Sequence, residues 1–257
     1  MFKKIFYSLV FTGILTSSLA QSNTRSIDLP SENITTLEVS NTWGTIRIVG
    51  EAKTSSIAVT SVYENSGKLE LKEGNLRLST RAQGNIAYVE APNPGNVNFE
   101  SFNLTITVPQ TINVNLKMER GGEIFVDNVK GSIEINNQNG STSVNNAASW
   151  ATINNLNGEI ILSYSSLENV KAISLITFNG GIQLILPEKP DADVVLRTKQ
   201  NGYIRSDFKI RSSDGDTFKN MPREYIKAQN AWMGRTGNGG TSIIAITNNG
   251  PVELLSN

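Results

Sequence analysis

Apolar and polar residues alternate along most of this chain in short runs: Leu37-Glu-Val39, Phe102-Asn-Leu-Thr-Ile-Thr-Val108 and Ile112-Asn-Val-Asn-Leu-Lys-Met118. A period of two sends successive side chains to opposite faces of an extended backbone, so these runs predict β-strands with one face inside. From Gly122 onward the alternation is punctuated by a recurring phrase, with Asn139-Gly140, Asn157-Gly158, Asn179-Gly180 and Asn201-Gly202 marking turns. Asn-Gly suits such places because glycine has no Cβ to clash at positive φ and asparagine tolerates that region better than most residues. The glycines at 122, 140, 158, 180 and 202 fall at intervals of 18, 18, 22 and 22 residues, and apolar residues recur two and four positions after several of them. A repeat of this length with strand periodicity inside it predicts a coiled parallel β-structure.

The fold expected is therefore all-β: a single-stranded parallel β-helix, or β-solenoid, with N-terminal β-strands leading into the stack and a C-terminal segment closing it. Residues 21–118 form the N-terminal β region, either the start of the solenoid or a small sandwich-like cap, and residues 119–257 form the repeats. Ile124, Val126, Val129, Ile133, Ile135, Val144, Ile153, Leu156 and Ile160 are expected inside, as are Leu162, Leu167, Val170, Ile173, Leu175, Phe178, Ile182, Leu184 and Leu186. The turn asparagines should stack into a hydrogen-bonded ladder, as identical residues do in stacked strands. Gly44, Gly74 and Gly84 carry the same phrase earlier in the chain. Residues 91–100, with two prolines and a glycine, read as a loop. Residues 212–240 lose the pattern and form an irregular excursion, with a short helix expected over 223–232. The pattern resumes at Ile243-Ile-Ala-Ile246 and Val252-Glu-Leu254, the expected closing strands.

Residues 1–20 read as a secretory signal peptide: Lys3 and Lys4, an apolar run from Ile5 to Leu15, and the small-x-small ending Ser18-Leu19-Ala20. Export to the periplasm, the cell surface or the medium follows, with no stable membrane span in the mature chain. The precursor has 23 Lys+Arg and 23 Asp+Glu. Removing Lys3 and Lys4 leaves 21 against 23, a net charge near −2, so there is no electrostatic footprint for nucleic acid or an anionic membrane.

Histidine and cysteine are absent, which removes the Ser-His-Asp triad, thiol nucleophiles and the usual zinc ligand sets. Glu123 and Glu159 follow equivalent glycines two repeats apart, so a regular stack would hold them ~10 Å from each other. That is near the upper limit for an inverting glycosidase pair; the plainer reading is a solvated face. Asp214-Gly-Asp216 with Asp207 is either a calcium-binding loop or a turn. Trp150, Tyr164, Tyr203 and Trp232 either present rings to sugars or pack at solenoid corners. No catalytic, cofactor-binding or metal residue is assigned, and no cofactor is expected.

The phrases Asn41-Thr-Trp-Gly-Thr-Ile-Arg-Ile-Val-Gly50, Leu104-Thr-Ile-Thr-Val-Pro109, Gly122-Glu-Ile through Asn179-Gly-Gly-Ile182, and Leu186-Pro187 with Thr198-Lys-Gln-Asn-Gly202 stand in the same order as in a known family. So do Gly237-Asn-Gly-Gly240 and Ile243-Ile-Ala-Ile-Thr-Asn-Asn-Gly250. The chain resembles the bacterial putative-adhesin family labelled DUF4097, and the likeness covers most of the mature sequence. The resemblance implies an exported or membrane-tethered β-solenoid that works as a non-catalytic structural or binding module of the cell envelope, its partner a polysaccharide or another envelope protein. Two rival readings stay open: a carbohydrate-active enzyme on a β-helix, resting on Glu123 and Glu159, and a regulatory or sensory envelope component.

Overall fold

The computed structural model describes residues 23–30, 33–64, 78–92, 101–199, 202–212, 217–218, 226–227 and 231–257. They form a single sheet system of 21 strands, and no helix occurs among the described residues. The signal-peptide segment, Gly74, Asn201 and the Asp214-Gly-Asp216 loop lie outside the described residues.

The strands wind into a parallel solenoid of eight coils, each made of two strands or of one long bent strand. In spatial order, coil 1 is β5 (Ile86–Glu90) with β6 (Ser101–Pro109), and coil 2 is the long bent strand β2 (Thr36–Glu51). Coil 3 is β7 (Asn113–Asp127), also bent, which pairs in parallel with both halves of β2. Coils 4 and 5 are β8 (Ile133–Asn139) with β9 (Thr142–Ala147), and β10 (Ala151–Asn157) with β11 (Ile160–Tyr164). Coil 6 is β12 (Ala172–Asn179) with β13 (Ile182–Leu186). Coil 7 is β20 (Thr241–Asn249) with β21 (Val252–Ser256), and coil 8 is β14 (Ala192–Arg197) with β15 (Tyr203–Ser206). One parallel stack thus holds residues on both sides of position 118, which lies within β7.

Spatial order departs from chain order at both ends. Coil 2 comes before coil 1 in sequence, and coil 7 comes after coil 8. The C-terminal pair joins the stack as the pattern predicts, but it slots between coils 6 and 8 instead of lying outermost. Antiparallel strands cover the two outer coils. At the N-terminal end β4 (Ser79–Gln83) pairs with β5, β3 (Ser56–Glu64) with β6, and β1 (Asn23–Pro30) with β3. At the other end β19 (Ala231–Thr236) pairs with β14, and β18 (Ile226–Lys227) with β15. The helix expected over 223–232 is therefore corrected: Ile226–Lys227 and the start of β19 are strands. Extended pairing won because it satisfies the open backbone groups of coil 8, which a helix could not do.

Between the two parallel sheets the inward side chains stack in register. Leu116, Ile135, Ile153 and Leu175 form one buried column, and Val126, Val144, Leu162, Leu184 and Leu254 another. Each fully buried aliphatic side chain contributes about 1.5–3 kcal/mol relative to exposure. Gly84 does not mark a corner. It turns the β4–β5 hairpin, which shifts the phase so that Ala87 and Val89 are buried in place of Ile86 and Tyr88.

The corners proper are glycines, and they sit directly on one another. Gly140, Gly158, Gly180 and Gly250 have φ of +120°, +134°, +152° and +153°. A Cβ at Gly158 would collide with the carbonyl oxygen of Gly140, and one at Gly180 with that of Gly158. Two independent constraints therefore demand glycine, the dihedral and the contact. Gly84 has φ +60° and open space around it. Gly158→Ala should lower unfolding free energy by about 3 kcal/mol or more, strain and overpacking combined. Gly84→Ala should cost only about 1–2 kcal/mol. Urea titrations of both variants check this, and equal costs would mean that the corner contact does not matter.

Candidate binding surface

Each corner is built from three positions. Three residues before the corner glycine stands a buried polar residue: Asn41 before Gly44, then Asn137, Asn155, Thr177 and Thr247 before their own glycines. Thr198 fills the same place four residues before Gly202. These side chains point inward and donate to corner carbonyls, Asn41 to that of Phe102 at 2.7 Å. Asn137 Nδ2 donates to the Gly122 and Gly140 carbonyls at 3.1 Å each, and Asn155 Nδ2 to Gly140 at 3.3 Å. The hydroxyls of Thr177, Thr247 and Thr198 donate to Gly158, Gly180 and Gly250 at 3.1, 2.8 and 2.7 Å. In coil 3 the position is Met118, which has no donor. The two side chains flanking it, Asn41 and Asn137, are the ones whose buried amide oxygens lack a partner.

One residue before the glycine, the asparagine faces solvent, and here the expected ladder is present. Asn157 Nδ2 donates to Asn139 Oδ1 at 2.7 Å, Asn179 to Asn157 at 2.7 Å, and Asn249 to Asn179 at 3.5 Å, while Asn139 donates to the Arg120 carbonyl. Asn249, from the C-terminal coil, continues the column. Where the second strands end, a parallel column forms: Asn146 Nδ2 donates to Asn128 Oδ1 at 2.9 Å, and Ser165 Oγ to Asn146 Oδ1 at 2.9 Å. Asn128 and Asn146 hold φ of +58° and +57°, the left-handed region that asparagine tolerates.

Between these asparagines and the buried donors, two positions before the glycine, the side chain points outward. Leu156 and Phe178 occupy that place and are about half exposed, a correction to their expected burial. Strand alternation permits only one inward residue there, and the corner carbonyl claims it for Asn155 or Thr177. Leu167 is partly buried against the core, and the rest of the expected interior is buried.

The residues with candidate chemistry are dispersed. Glu123 and Glu159 do share one column, with Ser141 between them donating to Glu123 at 3.4 Å, and that column faces outward. Asp207 accepts from Arg205 at 3.4 Å and from the Ser256 amide at 3.2 Å. No cluster of three metal-ligating side chains occurs among the described residues. Tyr164 is buried, its hydroxyl donates to the Ser149 carbonyl at 2.8 Å, and burial holds its pKa far above the usual phenol value. Trp232 is buried and Tyr203 donates to Glu253 at 3.2 Å, whereas Trp150 is exposed at the start of coil 5. An open cleft of about 720 Å³ lies between the 165–171 loop and the 187–191 connection, lined by Glu168, Lys171, Lys189 and Asp191 among others. Among the described residues no helix is long and apolar enough to cross a membrane.

Among solved structures, the chain is similar to a putative cell adhesion protein from Clostridium sporogenes, with 16% identity, a TM-score of 0.49, and coverage of 92% of this chain and 100% of that one. It is also similar to a putative adhesin from Bacteroides fragilis, with 9% identity, a TM-score of 0.43, and coverage of 91% and 97%. For a putative adhesin from Parabacteroides distasonis the values are 10%, 0.29, and 92% and 98%. No family model matches the chain, and no curated protein matches it.

Thr177→Val keeps shape and removes the donor to the buried Gly158 carbonyl, so it should cost about 1–3 kcal/mol. Asn157→Ala removes only exposed ladder bonds and should cost about 0.5–1.5 kcal/mol. Chemical unfolding of the two variants ranks them, and the reverse order would assign stability to the outer ladder.

At the C-terminal end, the Arg235 guanidinium, 2.8 Å from Asp193, and the Gly240 amide hold the Asp193 carboxyl below the usual carboxylate range. A folded pKa below the unfolded one gives stability that is present above the unfolded value and lost as pH falls through the folded one. Melting temperatures of the parent and Asp193→Asn should therefore differ at neutral pH and converge as the pH is lowered from about 5 toward 3. A constant gap would remove Asp193 as the source.

Proposed function

We propose that the protein is an exported, non-catalytic module of the cell envelope or cell surface, of the adhesin-like kind implied by the sequence resemblance, and that it presents its solenoid to an extended polysaccharide. The observation that carries this reading is the exposed amide column Asn139, Asn157, Asn179 and Asn249. Its members repeat at the inter-coil spacing of ~4.8 Å, comparable to the length of one sugar unit in an extended glycan. A primary amide offers two donors and an acceptor. In Asn139, Asn157 and Asn179 the ladder uses one donor and one lone pair of each amide, which leaves a second donor and lone pair of each for hydroxyls. The rigid stack fixes all four side chains before binding, so little entropy is lost when a periodic partner lies along them.

The test is retention on a panel of insoluble polysaccharides, with soluble reducing ends measured in the same tubes. Retention on at least one polysaccharide without release of reducing ends is expected, falling at least tenfold for Asn157→Ala/Asn179→Ala with an unchanged far-ultraviolet spectrum. New reducing ends would make the protein an enzyme and bring Glu123 and Glu159 forward. Retention indifferent to the double substitution would take the amide column out of the proposal.

A further inference from the structure

The amide column changes character toward the N-terminal end of the stack. The residue one before the corner glycine is asparagine in coils 4 to 7, but it is Gly121 in coil 3 and Trp43 in coil 2, and the strand register sets Trp43 against Gly121. Coil 3 also carries an extra residue at this point: β2 takes two steps from Asn41 to Trp43 while β7 takes three from Met118 to Gly121. A bulge of this kind interrupts regular pairing and re-aims the side chains around it. Here the Arg120 carbonyl accepts from the Asn139 amide and so ends the ladder, and the next place in the column, Gly121, is bare backbone. The indole of Trp43 leans into that gap. A Cβ built on Gly121 would lie 3.0 Å from its Cζ3 and 3.3 Å from its Cε3, so the benzo ring takes the place of the missing side chain and buries the glycine. The indole itself remains 43% exposed.

We propose that Trp43 is the stacking platform for one pyranose unit at the end of the glycan that the asparagines hold, and that this glycan is of the extended, β-1,4-linked class with equatorial hydroxyls. The inference rests on the polysaccharide reading above and adds the group that supplies its apolar contact. A pyranose of that class has an apolar face of C–H bonds and a rim of hydroxyls. A row of amides serves the hydroxyls alone, and exchanging water for amide partners yields little net free energy. The ring offers the other half, an aromatic surface on which the C–H face is removed from water. Across the corner a second outward column runs beside it, with Thr45 against Glu123 and Ser141 next in line. Glu123 stands two residues from the glycine under the ring, and its ionised carboxylate only accepts, which suits sugar hydroxyls acting as donors. The row from Trp43 to Asn249 covers five inter-coil steps of ~4.8 Å, roughly 24 Å, the reach of about six units at one per coil. An α-1,4-linked chain curls and cannot follow so straight a row. Of the three tryptophans, Trp232 is buried and Trp150 lies at the opposite end of β10 from Asn157, so Trp43 alone stands on the column.

Calorimetric and fluorescence titrations of the full mature chain with cellohexaose, xylohexaose and chitohexaose, and with maltohexaose for contrast, test this. At least one β-1,4-linked hexaose should bind and shift the tryptophan emission, and maltohexaose should bind at least tenfold more weakly. Trp43→Ala should weaken that hexaose at least tenfold, and Trp43→Tyr should recover it to within about threefold. Trp43→Leu keeps an apolar cover over Gly121 without an aromatic face, so it should fold as the parent does and bind as poorly as Trp43→Ala. Trp150→Phe should leave both the affinity and the emission shift in place. Affinity unchanged in Trp43→Leu, or an emission shift that persists in Trp43→Tyr and vanishes in Trp150→Phe, would overturn the platform. If affinity is indifferent to Trp43 but lost in Asn157→Ala/Asn179→Ala, the platform falls and the amide column stands; the opposite pattern keeps the ring as the site and removes the column. A parent that binds none of the β-1,4-linked hexaoses, or binds maltohexaose as tightly, overturns the proposal, and retention on the insoluble panel then shows whether the amide column falls with it.

Discussion

Everything in this structure depends on how closely one corner approaches the next. Parallel coils hydrogen-bond at a fixed spacing, and a chain that turns sharply within that spacing presses each corner's backbone against the corner before it. The room left is less than a methyl group, as the blocked Cβ positions at Gly122, Gly140, Gly158, Gly180 and Gly250 show. The glycine column is thus a consequence of stacking two-stranded coils, and the positive dihedrals are the way the chain makes the turn.

That contact leaves a debt of polar groups inside. The strand ladder pairs most carbonyls, but those at corners point toward the interior, where an unpaired oxygen is costly. A short side chain with a donor, placed one strand period before the glycine's neighbour, reaches them. Threonine and asparagine are the residues small enough to fit and polar enough to pay the debt. The interruption at Met118, flanked by two unsatisfied amide oxygens, marks where the arrangement is incomplete. The same corner turns the next asparagine outward, so one three-residue phrase produces a buried donor, an outward side chain and a surface amide. The candidate binding column is therefore a by-product of the fold's own requirements, fixed in spacing by the backbone.

Much of this was legible from the residues. The Asn-Gly phrases and the apolar positions two and four after several of the glycines predict the stacked strands and the outer ladder, because both depend only on local periodicity. The buried Asn155 and Thr177 were missed, although polar residues recur three before each glycine; periodicity alone does not say which side of the corner needs a donor. Leu156 and Phe178 were misplaced for the same reason, since hydrophobicity argues for burial and only the claim of Asn155 and Thr177 on the inward position turns them out. The order of the coils was not legible at all. β2 lies against β7 across the strands β3 to β6, and nothing in an alternating pattern distinguishes one parallel neighbour from another. At 223–232 local propensity predicts a helix because it carries no information about the exposed edge of β14 that recruits β19.

Coil order also bears on how such a protein meets its neighbours. A parallel stack that followed chain order would end in bare strands at both termini, and each bare edge would template another copy. Here the first and last coils of the sequence are held between other coils, and the outer coils are covered by strands running the opposite way. A second copy cannot continue the parallel register through an antiparallel cover, so end-to-end growth is opposed. Association through the sheet face is not opposed by any such device, and there the charged side chains that would prevent it stop at coil 4 and return only at coil 8. The fold thus guards its edges with whole strands and leaves the outer face of the first strands in coils 5 to 7 uncharged.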